Sequence, residues 1–270
     1  MKVSRSGYYN WIKRTPSKRE QRRKRLKVRI QHHFYRLKKR AGSPTITAIL
    51  RDEDGVQVSS KTVSRLMKEM GLKSITVRKY KATTNSKHTM PVFDNVLNRK
   101  FKVSSPNRAW VTDITYISTD EGWLYLASVM DLFSRKIVGW STGARMTREL
   151  VLDALDQAYK RQKPDSGLIH HSDRGSQYAS DEYRDRLAAY EMTGSMSRKG
   201  NCYDNACIES FHSTLKKELV YQKKFRTRKI AKDELYTYIE LYYNRIRPHS
   251  TLGYKSPHRF EQMYLAKLAV

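Results

Sequence analysis

RAWVTDITYISTDEGWLYLASVMDLFSRKIVGW, residues 108–140, is the stretch on which the fold turns. Trp110 to Ile117 is a run of β-formers interrupted only by Asp113, Trp123 to Met130 follows the turn Asp120-Glu121-Gly122, and Lys136 to Ser141 follows Ser134-Arg135. Three such runs joined by tight links predict an antiparallel meander.

Working downstream, Thr147 is placed to cap a helix running to about Lys160, with Leu150, Val151, Ala154, Leu155 and Ala158 on one face. Leu168-Ile-His-His171 then predicts a short buried strand, Ser180 to Tyr190 a helix, Met192 to Met196 a strand, and Asp204 to Leu219 a last helix. Three strands followed by alternating helices and strands give an α/β layer with a mixed five-stranded sheet and flanking helices.

Upstream the texture is different. The 270 residues carry 54 Lys+Arg against 26 Asp+Glu, a formal charge of +28. The first 105 residues hold 28 of the cations and 6 of the acids, a net of +22, which leaves +6 for the other 165. A field of that density repels itself unless a polyanion neutralises it, and nucleic acid is the commonest such partner. Within 17–40, Leu26, Ile30, Phe34 and Leu37 recur at helical spacing; Gly42-Ser43-Pro44 breaks the pattern, and Ile46, Ile49 and Leu50 mark a short second helix. Ser59 or Ser60 can cap a third, Lys61 to Met70, with Gly71 as its stop. Two short helices with a turn between them predict an all-α helix-turn-helix, whose second helix would present Lys61, Arg65 and Lys68 to a major groove. The resulting organisation is a basic helical region over 1–73, a linker over 74–105, an α/β core over 106–220 and a helical extension over 221–270. The opening residues 1–9 read as the end of a longer element, pointing to an upstream extension or to assembly from two reading frames.

The core carries acids where packing alone would not put them. Asp113 interrupts a strand, where burial costs several kcal/mol unless the charge is paired. Asp173 follows the short fourth strand in His-His-Ser-Asp-Arg-Gly-Ser-Gln-Tyr, at the carboxyl end where open α/β sheets bind ligands. Glu209 lies on the last helix, with 35 residues between it and Asp173, and Lys216 is two turns further on nearly the same face. Two Asp and one Glu brought together repel, so they make chemical sense around divalent cations, and an all-oxygen set selects magnesium or manganese. A pair of such ions supports in-line displacement at a phosphodiester. Taken singly, each acid also admits a structural reading: Asp113 as a satisfied buried group, Asp173 as a turn residue, and Glu209 as half of a helix-surface pair with Ser213 or His212. Asp131 reads as a turn acid and Asp204 as the N-cap of the last helix.

Five segments carry a resemblance: Arg108-Ala-Trp-Val-Thr-Asp-Ile-Thr-Tyr116, Met130-Asp-Leu-Phe-Ser-Arg-Lys-Ile-Val-Gly-Trp140, His171-Ser-Asp-Arg-Gly-Ser-Gln-Tyr178, Gly200-Asn-Cys-Tyr-Asp-Asn-Ala-Cys-Ile-Glu-Ser-Phe211 and Tyr242-Tyr-Asn-Arg-Ile-Arg-Pro-His249. In these the chain resembles the transposases of bacterial insertion sequences with two overlapping frames, specifically the second-frame product. The catalytic domain of that family belongs to the retroviral-integrase, ribonuclease-H-like superfamily. The resemblance implies a metal-binding catalytic triad of Asp113, Asp173 and Glu209, with two Mg2+ or Mn2+ ions when DNA is bound, and a DNA contact from Lys216 near the cleaved bond. His171, Ser172, Gln177 and Tyr178 flank the second Asp, and Asn201, Tyr203 and Asn205 precede the Glu, so all seven are candidates for orienting the acids. Arg174 beside Asp173, with Arg245 and Arg247 in a tail rich in tyrosine, are candidate phosphate contacts.

The implied activity is metal-dependent strand cleavage followed by strand transfer. A DNA-binding regulator with vestigial acids and a nuclease that hydrolyses without joining are the competing readings. The implied partners are double-stranded DNA (element terminal repeats and target), the upstream-frame product, as a fusion, and further copies of the chain on DNA. No stretch approaches the ~18 apolar residues of a membrane helix, no signal peptide opens the chain, and Cys202 and Cys207 read as reduced thiols, which together predict a cytoplasmic, DNA-associated bacterial protein.

Overall fold

The structure is a computed structural model and describes residues 4–76, 91–199 and 201–269. The chain divides into two compact units, with the boundary between Ser74 and Ile75. The expected open stretch from Thr83 to Thr89 lies outside the described residues.

The first unit is helical: α1 (Arg5–Ile12), α2 (Lys18–Arg36), α3 (Ser43–Asp52) and α4 (Ser60–Glu69). Ser17 and Ser59 cap α2 and α4 by accepting the backbone N–H groups of Glu20 and Thr62. Pro44 sits in the first turn of α3, where its missing N–H costs nothing, so the helix begins at Ser43 rather than after the proline. Leu26, Ile30 and Phe34 of α2, Ile46, Ile49 and Leu50 of α3, and Val63, Leu66 and Met67 of α4 form the apolar interior. Residues 5–12, read from sequence only as the end of something longer, are a helix whose Tyr8, Tyr9 and Trp11 are exposed.

In the second unit β1 (Ala109–Thr119), β2 (Gly122–Asp131) and β3 (Ile137–Gly143) form the antiparallel meander, with Asp113 opposite Ser128. After α5 (Arg148–Gln162), β4 (Ile169–Ser172) runs parallel to β1; after α6 (Asp181–Ala189), β5 (Thr193–Met196) runs parallel to β4. The sheet order β3-β2-β1-β4-β5 is mixed and five-stranded, as the pattern of elements predicts. A 3₁₀ turn (Cys202–Asn205) leads into α7 (Ala206–Glu218); α8 (Arg228–Tyr236), a π-helical turn (Thr237–Tyr243) and α9 (Pro257–Leu268) follow. Among the described residues no helix is long and apolar enough to cross a membrane.

One face of the sheet packs on α5 through Trp110, Ala127, Val129 and Val138 against Val151, Ala154, Leu155 and Ala158. Gly139 is what lets β3 approach α5: a Cβ there would lie 2.3 Å from the Ala154 carbonyl oxygen and 2.7 Å from the Ala158 backbone nitrogen. Gly139→Ala must push strand and helix apart, and overpacking of this kind costs about 1–3 kcal/mol, which thermal unfolding of the variant should show as a lowered Tm.

Two stretches assigned outside the core belong to it. Residues 91–105, read as linker, lie along β5: the Phe93 ring covers Gly194, the Leu97 N–H donates to Ser195 Oγ, and the Met196 N–H donates to the Asp94 carbonyl. Leu97 is fully buried, so this stretch is packed chain that lacks a period because it forms neither helix nor strand. The tail is likewise anchored, with the Asn244 side chain bonding both backbone groups of Ile137 and the Tyr243 ring edge-on to Phe211.

Among the histidines of this unit, His170 is held neutral at about 3 and His249 at about 4, each mainly by burial. The unfolded chain protonates them near the ordinary imidazole value of about 6.5. Between that value and the folded ones the unfolded state binds more protons, so stability rises as pH rises through this window and falls as pH is lowered. Urea midpoints should therefore be lower at about pH 5 than at about pH 7, with both imidazoles still neutral by NMR in the folded protein at the lower pH.

Candidate active site

Asp113 lies in the middle of β1 with its side chain toward α7. Its Oδ2 is 3.3 Å from Nδ1 of His212, and His212 Nε2 is 2.7 Å from the hydroxyl of Ser128, the residue facing Asp113 across the strand pair. His212 was named in the sequence only as a surface partner of Glu209. The helical offset of three from Glu209 puts both on one side of α7, a spacing that could have signalled its place near the acids.

Asp173 follows β4 directly and closes a turn in which its Oδ1 accepts the Gly175 N–H at 2.9 Å. Glu209 is in the first turn of α7, and its carboxyl is pushed up by burial and by the charge of Asp113. The Tyr178 hydroxyl is raised well above its ordinary value by burial first, then by Tyr183, then by Asp113 and Asp173. Tyr178 thus feels both aspartates, and Glu209 feels the first of them.

Asn205 ties the start of α7 to β1: its Nδ2 donates to the Thr112 carbonyl at 3.0 Å, and the Thr112 hydroxyl is 3.3 Å from Tyr178 Oη. The buried Oδ1 of Asn205 has no hydrogen-bond partner among the described residues. Asp204, expected to be the N-cap of α7, does not hold that position, which Asn205 takes. It is buried and accepts from the Arg198 backbone and guanidinium, from Arg99 Nε and from Asn95 Nδ2, which hold its carboxyl far below the usual carboxylate range. This hub fixes the turn from which Glu209 emerges. Asn201 caps that turn and accepts from Arg99, while Tyr203 is exposed with Arg99 5.7 Å from its ring, so both pack on the Arg99 side of the Asp204 hub.

The remaining candidates divide. His171 is buried between Ser195 and Ser197, bonded to their hydroxyls at 2.8 and 3.1 Å, and burial holds it at about 4; it joins β4 to β5. Ser172 donates to the Asp173 carbonyl, Gln177 donates to the Met146 carbonyl, and Arg174 donates to the Ser197 carbonyl at 2.7 Å. Lys216 lies with its Nζ 4.4 Å from the Tyr116 ring centroid, and burial lowers its pKa while Tyr116 and Asp113 oppose that shift. Tyr116 in turn meets Trp123 edge-on at 4.9 Å. Arg245 is exposed. The Arg247 guanidinium, a candidate phosphate contact, is paired with the buried Glu218 carboxylate through bonds of 2.9 and 3.0 Å. Asp131 is a buried turn acid that accepts from Asn107, Ser134 N–H and Ser134 Oγ.

In the helical unit Lys61, Arg65 and Lys68 all lie on the exposed face of α4. The basic face of α2 is partly neutralised internally, Lys27 by Glu69, Arg29 by Asp54 and Arg36 by Glu53. The His33 ring, buried, bonds to Asp54 at 2.9 Å.

Comparison with known proteins agrees with this architecture. Two families, each described as an integrase core domain, match residues 103–202 and 190–257, and an HTH-like domain matches 21–80. The chain is 47% identical over 97% of its length to an "insertion element IS600 uncharacterized 31 kDa protein" of Shigella sonnei, covering 96% of that protein. It is 43% identical over 98% of its length to "transposase InsF for insertion sequence IS3A" of Escherichia coli K12, covering 93% of it. Among solved structures, a chain of the simian T-cell lymphotropic virus intasome in complex with PP2A regulatory subunit B56 gamma superposes with a TM-score of 0.50 at 16% identity, over 80% of this chain and 74% of that one, a likeness of fold.

Proposed function

Because the chain belongs to the insertion-sequence transposases with an integrase core domain, we propose that Asp113, Asp173 and Glu209 are the acids at which it breaks and rejoins DNA. The observation that carries this reading is the raised Glu209 carboxyl, which burial and the Asp113 charge act on together. The charge of Asp113 on β1 adds to burial in opposing the ionisation of Glu209 on α7, an arrangement that stability alone disfavours.

Among the described residues no three His, Cys, Asp or Glu side chains stand as a ready-made cation cage. The donor chemistry nevertheless fits a hard divalent ion: the acids offer oxygen only, and a cation held by them would offset the Asp113 charge that adds to burial in raising Glu209. Asp113, Asp173 and Glu209 would hold Mg2+ or Mn2+. When bound, two such ions lower the cost of forming an attacking hydroxide or alkoxide and stabilise the leaving oxygen of an in-line displacement.

The chain's own groups do the positioning. Lys216, packed on Tyr116 close to Asp113, is placed to take a phosphate of the strand being cut. Asn205 and the Asp204 hub hold Glu209 against β1. No nucleophilic side chain is required: water frees a 3′-hydroxyl at the element end, and that hydroxyl attacks a second phosphodiester, with no covalent protein–DNA intermediate. The exposed Lys61, Arg65 and Lys68 of α4 enter the major groove of the terminal repeat, while Arg174 and Arg245 add phosphate contacts. The partners are double-stranded DNA, the upstream-frame product, as a fusion, and further copies of the chain on DNA, and the setting is the bacterial cytoplasm.

The test is a strand-transfer assay with labelled duplex carrying the terminal repeat and Mg2+ or Mn2+. Joined products from the wild type, absent from Glu209→Gln and Asp173→Asn variants that still bind DNA, are expected. Hydrolysis without joining would leave a nuclease, and binding without either would leave a regulator.

A further inference from the structure

We infer that His212 is a positioning residue for the first aspartate, held in its working orientation by the Ser128 hydroxyl. The inference rests on the reading of Asp113 as a metal-binding acid.

An aspartate on a strand can rotate its carboxylate about χ2, which is a broad torsion. Here the rotation is checked by one neighbour: Asp113 Oδ2 lies 3.3 Å from His212 Nδ1. His212 is itself fixed, since its other nitrogen is 2.7 Å from Ser128 Oγ and the ring is buried against Phe211. Ser128 is fully buried and stands directly across the strand pair from Asp113. The hydroxyl has a single proton. Donated to Nε2, it leaves the ring proton of a neutral imidazole on Nδ1, the nitrogen that stands 3.3 Å from the carboxylate. Two strands and one helix thus contribute one residue each to a chain, Ser128 to His212 to Asp113, that determines which carboxylate oxygen is engaged by the protein. A buried imidazole is costly unless its ring nitrogens meet polar groups, and here Ser128 stands at one and Asp113 at the other.

Partners that orient metal-ligating groups typically change metal affinity about 10- to 100-fold when removed. The experiment uses the full chain with duplex DNA and Mn2+ alone as probe, reading bound Mn2+ by electron paramagnetic resonance beside duplex affinity and Tm. His212→Leu should weaken Mn2+ binding about tenfold with duplex affinity unchanged. Ser128→Ala, a smaller change to the interior, should weaken it in the same direction, and adding it to His212→Leu should have no further effect. His212→Asn, whose amide N–H falls near the Nδ1 position, should recover most of the loss, which a purely space-filling role of the ring would not produce. Wild-type Mn2+ binding in both His212→Leu and Ser128→Ala, or no recovery in His212→Asn, overturns the inference. Asp113→Asn separates the two readings: if it abolishes Mn2+ binding while His212→Leu does not, only the positioning role fails. If Asp113→Asn binds as the wild type does, or the wild type shows no saturable binding, the metal reading fails and this inference with it.

Discussion

Asp113→Asn should reduce both strand cleavage and strand joining by about a thousandfold or more, with duplex affinity and thermal stability near wild type. The amide has the shape of the carboxylate and keeps an oxygen available beside His212, so little packing changes; what is removed is the charge. That charge acts on its surroundings in two measurable ways. It is one of the causes that raise the Glu209 carboxyl, the other and larger being burial, so in Asp113→Asn the Glu209 carboxyl should titrate lower than in the wild type. A Glu209 signal followed by carboxyl NMR that does not move would mean that the two acids do not share a site. The second consequence is non-additivity: acids that act as a unit lose nearly everything at the first removal, so Asp113→Asn combined with Glu209→Gln should be no slower than either single variant. Independent losses that multiply would count against a common centre.

The catalytic framework was readable because its signals are local. The β-rich runs of 108–140 specify the meander, and Asp113 stands out within it since a charge in mid-strand conflicts with its neighbours. The spacing of Glu209 and Lys216 puts them on one helix face by period alone, and the register of Val63, Leu66 and Met67 likewise turns Lys61, Arg65 and Lys68 outward. What was not readable depends on partners distant in the chain. Asp204 has the look of an N-cap, and only the fold brings Arg99, 105 residues earlier, to its carboxylate. The stretch 91–105 shows no period because it is anchored by single contacts, a ring on Gly194 and a hydroxyl at Ser195. Ser128 and His212 are 84 positions apart, so a chain linking them to Asp113 has no sequence signature at all. The same limitation explains Arg247: a basic residue among tyrosines reads as a nucleic-acid contact until Glu218, 29 residues before it, is placed opposite.

That pairing gives the second large effect. Glu218 is buried at 4% exposure in the last turn of α7 and accepts from Arg247 Nε and Nη2 and from Tyr238 Oη at 2.9 Å. Around it Tyr238 and Tyr243 are both fully enclosed, and burial drives each hydroxyl upward. Removing one member of a buried pair leaves the other charged and undersolvated, at a cost of about 3–5 kcal/mol. For a unit of this size that lowers Tm by roughly 10 °C. Glu218→Met and Arg247→Met should each show this loss, whereas the double variant, with neither charge left to solvate, should recover much of it. Since α7 also carries Glu209 and Lys216, the single variants should lose strand transfer as temperature rises well before the wild type does. The competing view of Arg247 as a phosphate contact makes a different forecast: one fewer contact would flatten the salt dependence of duplex binding, the slope of log affinity against log salt falling by about 0.9. An unchanged salt slope with a lowered Tm assigns Arg247 to holding the tail on the catalytic unit; a changed slope at constant Tm returns it to DNA.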